Sequence, residues 1–292
     1  MTALVILAQV LRIAVPYLFA AAGGVLSERA GIVALTLEGY LLAGGFGAAV
    51  ATHYTQAPWV GLVAGVALGA ALASVHALAT IRYKADQVVS GVALNILMGG
   101  AAAFFLRLMF DSSANSPRIA AVGDGLGTGL AATFLQPLVW AAFLVLPATW
   151  WLLERTPFGL RTRAVGEHPQ AATSLGVSVA GVRTRAVLLS GAVTALGGAW
   201  LAFDQHKFTD GMSAGRGYIA LAAVIFGRWE APRALVACLL FAAAETLQIR
   251  LQGAPWLPSQ FVEMIPYVLT IVALAGFVGK SQAPSALGKA EA

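Results

Sequence analysis

Apolar residues run in long blocks along this chain, and the polar ones are gathered between them. A bilayer-crossing helix needs roughly 17–25 mostly apolar residues. The blocks 31–51, 58–80, 87–109, 132–153, 186–203, 233–249 and 261–279 meet that requirement. Two further stretches are of another kind. Residues 3–26 carry Arg12 in their middle, which predicts a short interfacial helix followed by a short span. The run YIALAAVIFG (218–227) is too short to cross and predicts a half-helix or re-entrant segment. Such a segment persists at membrane depth only where protein or a water-filled cavity covers its backbone. The runs do not alternate as β-barrel strands would. The predicted fold class is therefore all-α: a polytopic integral membrane helical bundle of about eight to nine spans with one short or re-entrant segment. Residues 1–280 form the transmembrane domain, including the polar loop 154–185, and 281–292 is read as a cytoplasmic tail that frays.

Composition supports this reading. The chain has 292 residues, of which 59% are hydrophobic and 11% charged, against about 25% charged in an average soluble domain. The net charge of +5 is unevenly placed. Arg29, Arg82, Lys84, Arg155, Arg161, Arg163, Arg183, Arg185, Arg228, Lys280 and Lys289 fall in one set of loops, with Arg233 at its edge. The opposite loops hold Arg118, Lys207 and Arg216, with Arg107 and Arg250 at helix ends. The positive-inside rule puts the first set, and the C-terminus, in the cytoplasm, so the charge is not a nucleic-acid footprint.

Several activities are excluded. The four lysines follow no phosphate-cradling glycine pattern, so the chain carries no ATPase of its own. The four histidines are scattered, and Cys238 stands alone in an apolar run, so neither a metal nor another cofactor is expected. No nucleophile elbow is present, and the chain is not expected to be an enzyme. Trp59, Trp140, Trp150, Trp151, Trp229 and Trp256 lie near predicted span ends, as a membrane-lipid interface belt expects. Gly61, Gly65 and Gly69, continued by Ala73, form a stripe that lets another helix approach closely.

Loop 154–185 has internal order. Pro169 suits the first turn of a helix, QAATSL extends it about two turns, and Gly176 stops it. Ser178 caps the helix that follows. Read from its residues alone, the element is either an ordinary solvated loop or a docking helix for a soluble partner.

Glu38 is the most informative polar residue. It lies within 31–51, where a charge costs about 2.5–3.5 kcal/mol on insertion scales. It must face the bundle interior or a wet cavity, or be protonated. Two roles stand open: a hydrogen-bonding anchor that fixes helix packing, or a pathway group that meets substrate. Asn95, central in 87–109, has the same two readings, with Gln87 and Ser90 on its side of the helix. Asp86 reads as a helix N-terminal charge. Glu245 lies two-thirds along its span, where the i+5 spacing to Arg250 suits pairing poorly, and Glu263 reads as interfacial. The loop DQHKFTDGMSAGRG (204–217) is either a plain connection or a mobile lip.

The blocks LSERAGIVALTLEGYLLAGG (26–45), RYKADQVVSGVALNIL (82–97), FGLRTRAVGEHPQAATSLGVSV (158–179), LLSGAVTALGGAWLAF (188–203) and FTDGMSAGRGYIALAAVIFGRW (208–229) recur in order over nearly the whole chain. Together they resemble the permease subunits of bacterial ABC importers, in the superfamily serving ribose, other simple sugars and branched-chain amino acids. The branch they resemble most is that of nucleoside and simple-sugar permeases. The resemblance implies a second homologous permease subunit, commonly in a heterodimer, two cytoplasmic ABC ATPases, and a substrate-binding protein or lipoprotein, all at the bacterial inner membrane. It also implies that loop 154–185 holds the coupling helix, with Glu167, Pro169, Ala171, Ala172 and Gly176 in the coupling element, and that the stretch 31–45, with Glu38, lies beside the substrate path, for which Asn95 is a candidate on its own chemistry. One position departs from the pattern: Ala34 stands where relatives often carry Asn. The alternative class is a secondary transporter in which Glu38 takes up a coupling proton.

Overall fold

The computed structural model describes residues 2–126, 130–252, 264, 268 and 282–289. Among them the secondary structure is helical, apart from one isolated bridge between Asn115 and Thr209. In chain order the helices are α1 (Thr2–Glu28), α2 (Leu37–Thr55), α3 (Pro58–Ala77, prolonged by a π-helical turn Leu78–Arg82), α4 (Gln87–Phe110), α5 (Leu130–Leu135), α6 (Pro137–Arg155), α7 (Pro157–Glu167), α8 (Pro169–Ser174), α9 (Val179–Asp204), α10 (Arg216–Phe226) and α11 (Ala231–Leu251).

Local chemistry sets many of these boundaries. Proline opens α3, α6, α7 and α8, where its missing N–H costs nothing. Asp86 caps α4 by accepting from the Val88 and Val89 amides at 2.8 and 2.9 Å. Ser178 caps α9 through the Gly181 amide at 3.2 Å. Gly176, at φ +77°, ends the α8 turn in a backbone conformation that favours glycine.

Six of the described helices are long and apolar enough to cross a membrane: Ala3–Glu28, Pro58–Arg82, Gln87–Phe110, Pro137–Arg155, Val179–Asp204 and Ala231–Leu251. The protein is thus a multi-pass helical bundle. The expected span 31–51 is realised as a break over residues 29–36 followed by α2. The expected span 261–279, with Glu263, and Trp256 before it, fall outside the described residues.

Three expectations need correction. Residues 2–28 form one continuous helix rather than an interfacial piece and a short span. Arg12 is accommodated there by Asp204 at 2.6 Å. The 132–153 block is divided before Pro137 into α5 and α6. Residues 282–289 do not fray, since Ala286 and Pro284 are buried and the backbone bonds to the bundle.

Helix α9 is the most deeply buried crossing and lies against α1, α2 and α3. The glycine stripe of α3 makes this packing close. A Cβ on Gly65 would stand 2.5 Å from the Gly44 carbonyl oxygen of α2, and one on Gly69 would stand 2.8 Å from that of Gly191 in α9. Backbone meets backbone there, which only glycine permits.

Candidate functional site

The break between α1 and α2 is the structural centre of the site. Helix α1 stops at Glu28, the chain turns at Gly31 (φ +88°), and residues 32–34 have no regular secondary structure before α2 begins at Leu37. A non-helical stretch inside a helical bundle leaves N–H and C=O groups without helical partners, and each must be satisfied locally. Side chains supply the partners. Glu28 accepts from the Ala34 amide at 3.1 Å, and Gln87 accepts from the Val33 amide at 2.8 Å. Asn95 donates to the Leu35 carbonyl at 2.9 Å and accepts from the Gly39 amide at 2.8 Å. Ser27 Oγ donates to the Ile32 carbonyl at 2.9 Å. His76 and Ser90 share a hydrogen bond of 3.0 Å beside this segment.

Asn95 lies eight residues into α4, roughly 12 Å from its start at 1.5 Å per residue. That depth is near the middle of a hydrocarbon core about 30 Å thick. Glu38 is at the same level because Gly39 is bonded to Asn95. The sequence reading placed Glu38 inside a continuous helix. It lies instead in the first turn of α2, and its carboxylate is turned to another helix start. Oε1 accepts from Ser213 Oγ at 2.6 Å and from the Gly215 amide at 2.8 Å, and Oε2 accepts from the Gly217 amide at 2.8 Å. These groups form the N-terminus of α10. A carboxylate there gains from charge-assisted bonds and from the positive end of the helix dipole.

Helix α10 has 11 residues and is roughly 16 Å long, the half-helix anticipated for 218–227. Carboxylates from three long helices or their neighbours hold it. Glu38 caps its backbone. Glu245 of α11 pairs with Arg216 at 2.6 Å and accepts from the Tyr17 hydroxyl at 2.5 Å. Beyond its C-terminus, the Trp229 indole N–H donates to Glu28. Glu245 therefore has its partner 29 positions upstream, while Arg250 donates to Gln9 at 3.2 Å. Trp229 is buried, not part of an interfacial belt, whereas Trp59, Trp140, Trp150 and Trp151 are exposed.

The feed into α10 is also ordered. Loop 204–217 buries Phe208, Met212 and Ser213 and exchanges backbone bonds with residues 114–119, so it is seated in the bundle rather than a free lip. On the open side of the junction, Tyr218 is 45% exposed and its hydroxyl accepts from Asn95 Nδ2 at 3.0 Å. Sequence reasoning singled out Glu38 and Asn95, which meet here. It passed over Glu28, Ser213 and Tyr218.

The second candidate region lies at the end carrying the basic loops. Loop 154–185 contains two helices, α7 and α8, rather than one. Glu167 ends α7, Pro169 opens α8, Ala171 is exposed, Ala172 is buried against Val165, Val179 and Val182, and Gly176 closes the turn. Leu175 is 84% exposed. Helix α7 rests on the bundle through Gly166, which packs directly on the Arg29 backbone. Arg29 Nε donates to the Trp229 carbonyl at 2.8 Å. Burial draws its guanidinium pKa down, and the carboxylates of Glu154, Glu167 and Glu230 counter this. The α7–α8 face is thus linked through Arg29 to the base of the break.

No group of three or more metal-ligating side chains is found among the described residues. A half-helix whose N-terminus meets the start of another helix inside the bundle, with irregular backbone satisfied by protein side chains, is an arrangement found at transporter sites. The comparisons agree. The family profile described as "Branched-chain amino acid transport system / permease component" matches residues 6–274, and the chain belongs to that family. It is 38% identical to the guanosine ABC transporter permease protein NupQ of Bacillus subtilis, over 94% of this chain and 92% of that one. It is 36% identical to the nucleoside ABC transporter permease protein NupC of Lactococcus lactis, over 97% and 95% of the two chains. It is 37% identical to a putative glucose ABC transporter permease protein of Haloferax volcanii, over 81% and 74%. The protein is a transporter permease component of a multi-pass membrane type, as its blocks imply.

Proposed function

We propose that this chain is one membrane subunit of a bacterial ATP-binding-cassette importer for nucleosides or related simple sugars. The near full-length similarity to two permeases named for guanosine and nucleosides carries this reading. On it, the chain crosses the inner membrane about eight to nine times, counting α2, α10 and 261–279, with its C-terminus in the cytoplasm. A second homologous permease subunit, as in a heterodimer, completes the path, and a substrate-binding protein or lipoprotein delivers the solute. A separate cytoplasmic ABC ATPase supplies the energy, and the path alternates between outward and inward access.

Within this reading the residues have distinct tasks. Glu38 and Asn95 build the path wall at mid-depth. Both Glu38 oxygens are engaged by α10, so its task is to hold that wall in shape. The exposed Tyr218 presents a hydroxyl, which can donate to and accept from sugar hydroxyls or a base edge, and Asn95, whose two amide hydrogens go to Leu35 and Tyr218, orients it. Glu167, Pro169, Ala171, Ala172 and Gly176 form the coupling element, and exposed Leu175 gives the ATPase an apolar anchor.

The experiment is to purify tagged protein from native membranes in mild detergent and assay the preparation for ATPase and for uptake of labelled guanosine after reconstitution. The importer reading expects an ATPase and a second permease to accompany the chain, and uptake to require ATP. A preparation that transports guanosine with neither partner present overturns it.

A further inference from the structure

Residues 282–289 carry little that a sequence motif would flag, yet they are seated at the point where three parts of the protein meet. The Ala286 amide donates to the Gly166 carbonyl at 2.9 Å, at the end of α7. The Gly288 amide donates to the Gly31 carbonyl at 3.2 Å, at the turn that opens the break. Glu167 Oε2 accepts from both the amide and the hydroxyl of Ser285, at 3.2 and 3.0 Å. Ala286 is 4% exposed, Pro284 is buried, and Leu287 packs on the main core. Arg183, buried at the start of α9, donates to the Ala30 carbonyl at 3.1 Å and closes the same corner.

We propose that this segment is a working part of the coupling apparatus: a splice joining the end of α7 to the start of the α1–α2 break. The proposal rests on the reading of α7–α8 as the ATPase-docking element. The bonding pattern gives it direction. One side of the segment holds Gly166 and Glu167, the last two residues of α7. The other holds Gly31, which lies four residues before the Leu35 carbonyl bonded by Asn95 and seven before Glu38. The intervening residues 32–34 lie outside the helices and are pinned at Val33 by Gln87 and at Ala34 by Glu28, which leaves them little slack to absorb a displacement. The bonds at Gly166 and Gly31, with the short backbone from Gly31 to the Leu35 carbonyl held by Asn95, thus form one contiguous path from α7 to the mid-depth junction, of the kind that can carry coupling between separated sites.

The test uses the whole complex, with its ATPase, in nanodiscs or proteoliposomes. One variant deletes 282–292, and a second is Ala286→Pro, which removes the donor to Gly166 while leaving the chain intact. The expected result is an ATPase retained at the parental ratio and basal hydrolysis within about twofold, with uptake per ATP hydrolysed falling about tenfold. Parental uptake per ATP in both variants overturns the proposal. Loss of the ATPase from both variants also overturns it, because the segment would then be a docking contact rather than a splice. Absence of ATPase from the parental preparation is a separate outcome: it removes the importer reading, and the splice falls with it.

Discussion

Along the α1–α2 break and the junction it leads to, Glu28, Glu38, Gln87 and Asn95 each give their polar atoms to backbone of another segment. On the α7–α8 face, the hydroxyls of Thr173 and Ser174 bond back to Pro169 and Gln170 of their own helix, and Leu175 stands 84% exposed. Away from water, a polar backbone group must find a protein partner, so side chains are committed there and each is costly to remove. Toward water, partners are free, and a surface can keep its groups uncommitted for another protein. The difference separates residues that hold the path together from those available for docking.

Substitutions on both sides probe that contrast, from the largest effect to the smallest. Glu38→Ala strips the acceptor from the Ser213 hydroxyl and from the Gly215 and Gly217 amides. At about 1–3 kcal/mol for each buried group left unpaired, the variant should lose several degrees in thermal unfolding and nearly all guanosine uptake. Glu38→Gln keeps one acceptor oxygen and should retain part of both. Parental melting and uptake in the alanine variant would remove Glu38 from the cap and the path alike. Full uptake in the glutamine variant would argue against a coupling proton on this residue.

Asn95→Leu, similar in size, leaves the Gly39 amide and Leu35 carbonyl unpaired and should destabilise by about 2–4 kcal/mol, read by chemical or thermal unfolding in detergent. Trp229→Phe keeps an aromatic ring but removes the donor to Glu28, and should destabilise by about 1–3 kcal/mol. Combining it with Glu28→Gln should cost less than the two single changes added together, because both act on one bond. Strict additivity would mean that the indole–carboxylate contact does not link α10 to the break.

Leu175→Ser lies at the other extreme. It should shift stability by less than about 0.5 kcal/mol, yet lower ATPase retention on a tagged column severalfold. Unchanged retention would place the docking anchor elsewhere on α7–α8.

Much of the local structure was legible in the chain. Asp86, Pro169, Gly176 and Ser178 each act within a few residues of their own position, so their roles as cap, start, stop and cap could be read from neighbours alone. The α3 glycine stripe announced close packing, though not that α2 and α9 would be its partners. Glu38 and Asn95 stood out because polar groups are expensive in apolar runs. Glu28 did not, since it follows Ser27 and precedes Arg29 at a span end, where a carboxylate needs no special account. Its partner Trp229 lies 201 positions away. For the same reason the Arg216–Glu245 pair and the seating of 282–289 could not be anticipated from spacing.

The sequence by itself determined that this protein is a helical membrane bundle, which family it belongs to, and which rare polar residues its spans must shelter. Hydrophobic length and local capping act over a few turns of one helix, and they leave a direct pattern in the chain. The tertiary structure decided that the expected first inner span is broken and that Glu38 begins α2. It also decided that the Glu38 carboxylate completes α10. Those outcomes depend on which distant backbone groups are left unsatisfied once the helices are packed, and that is settled only when the segments meet.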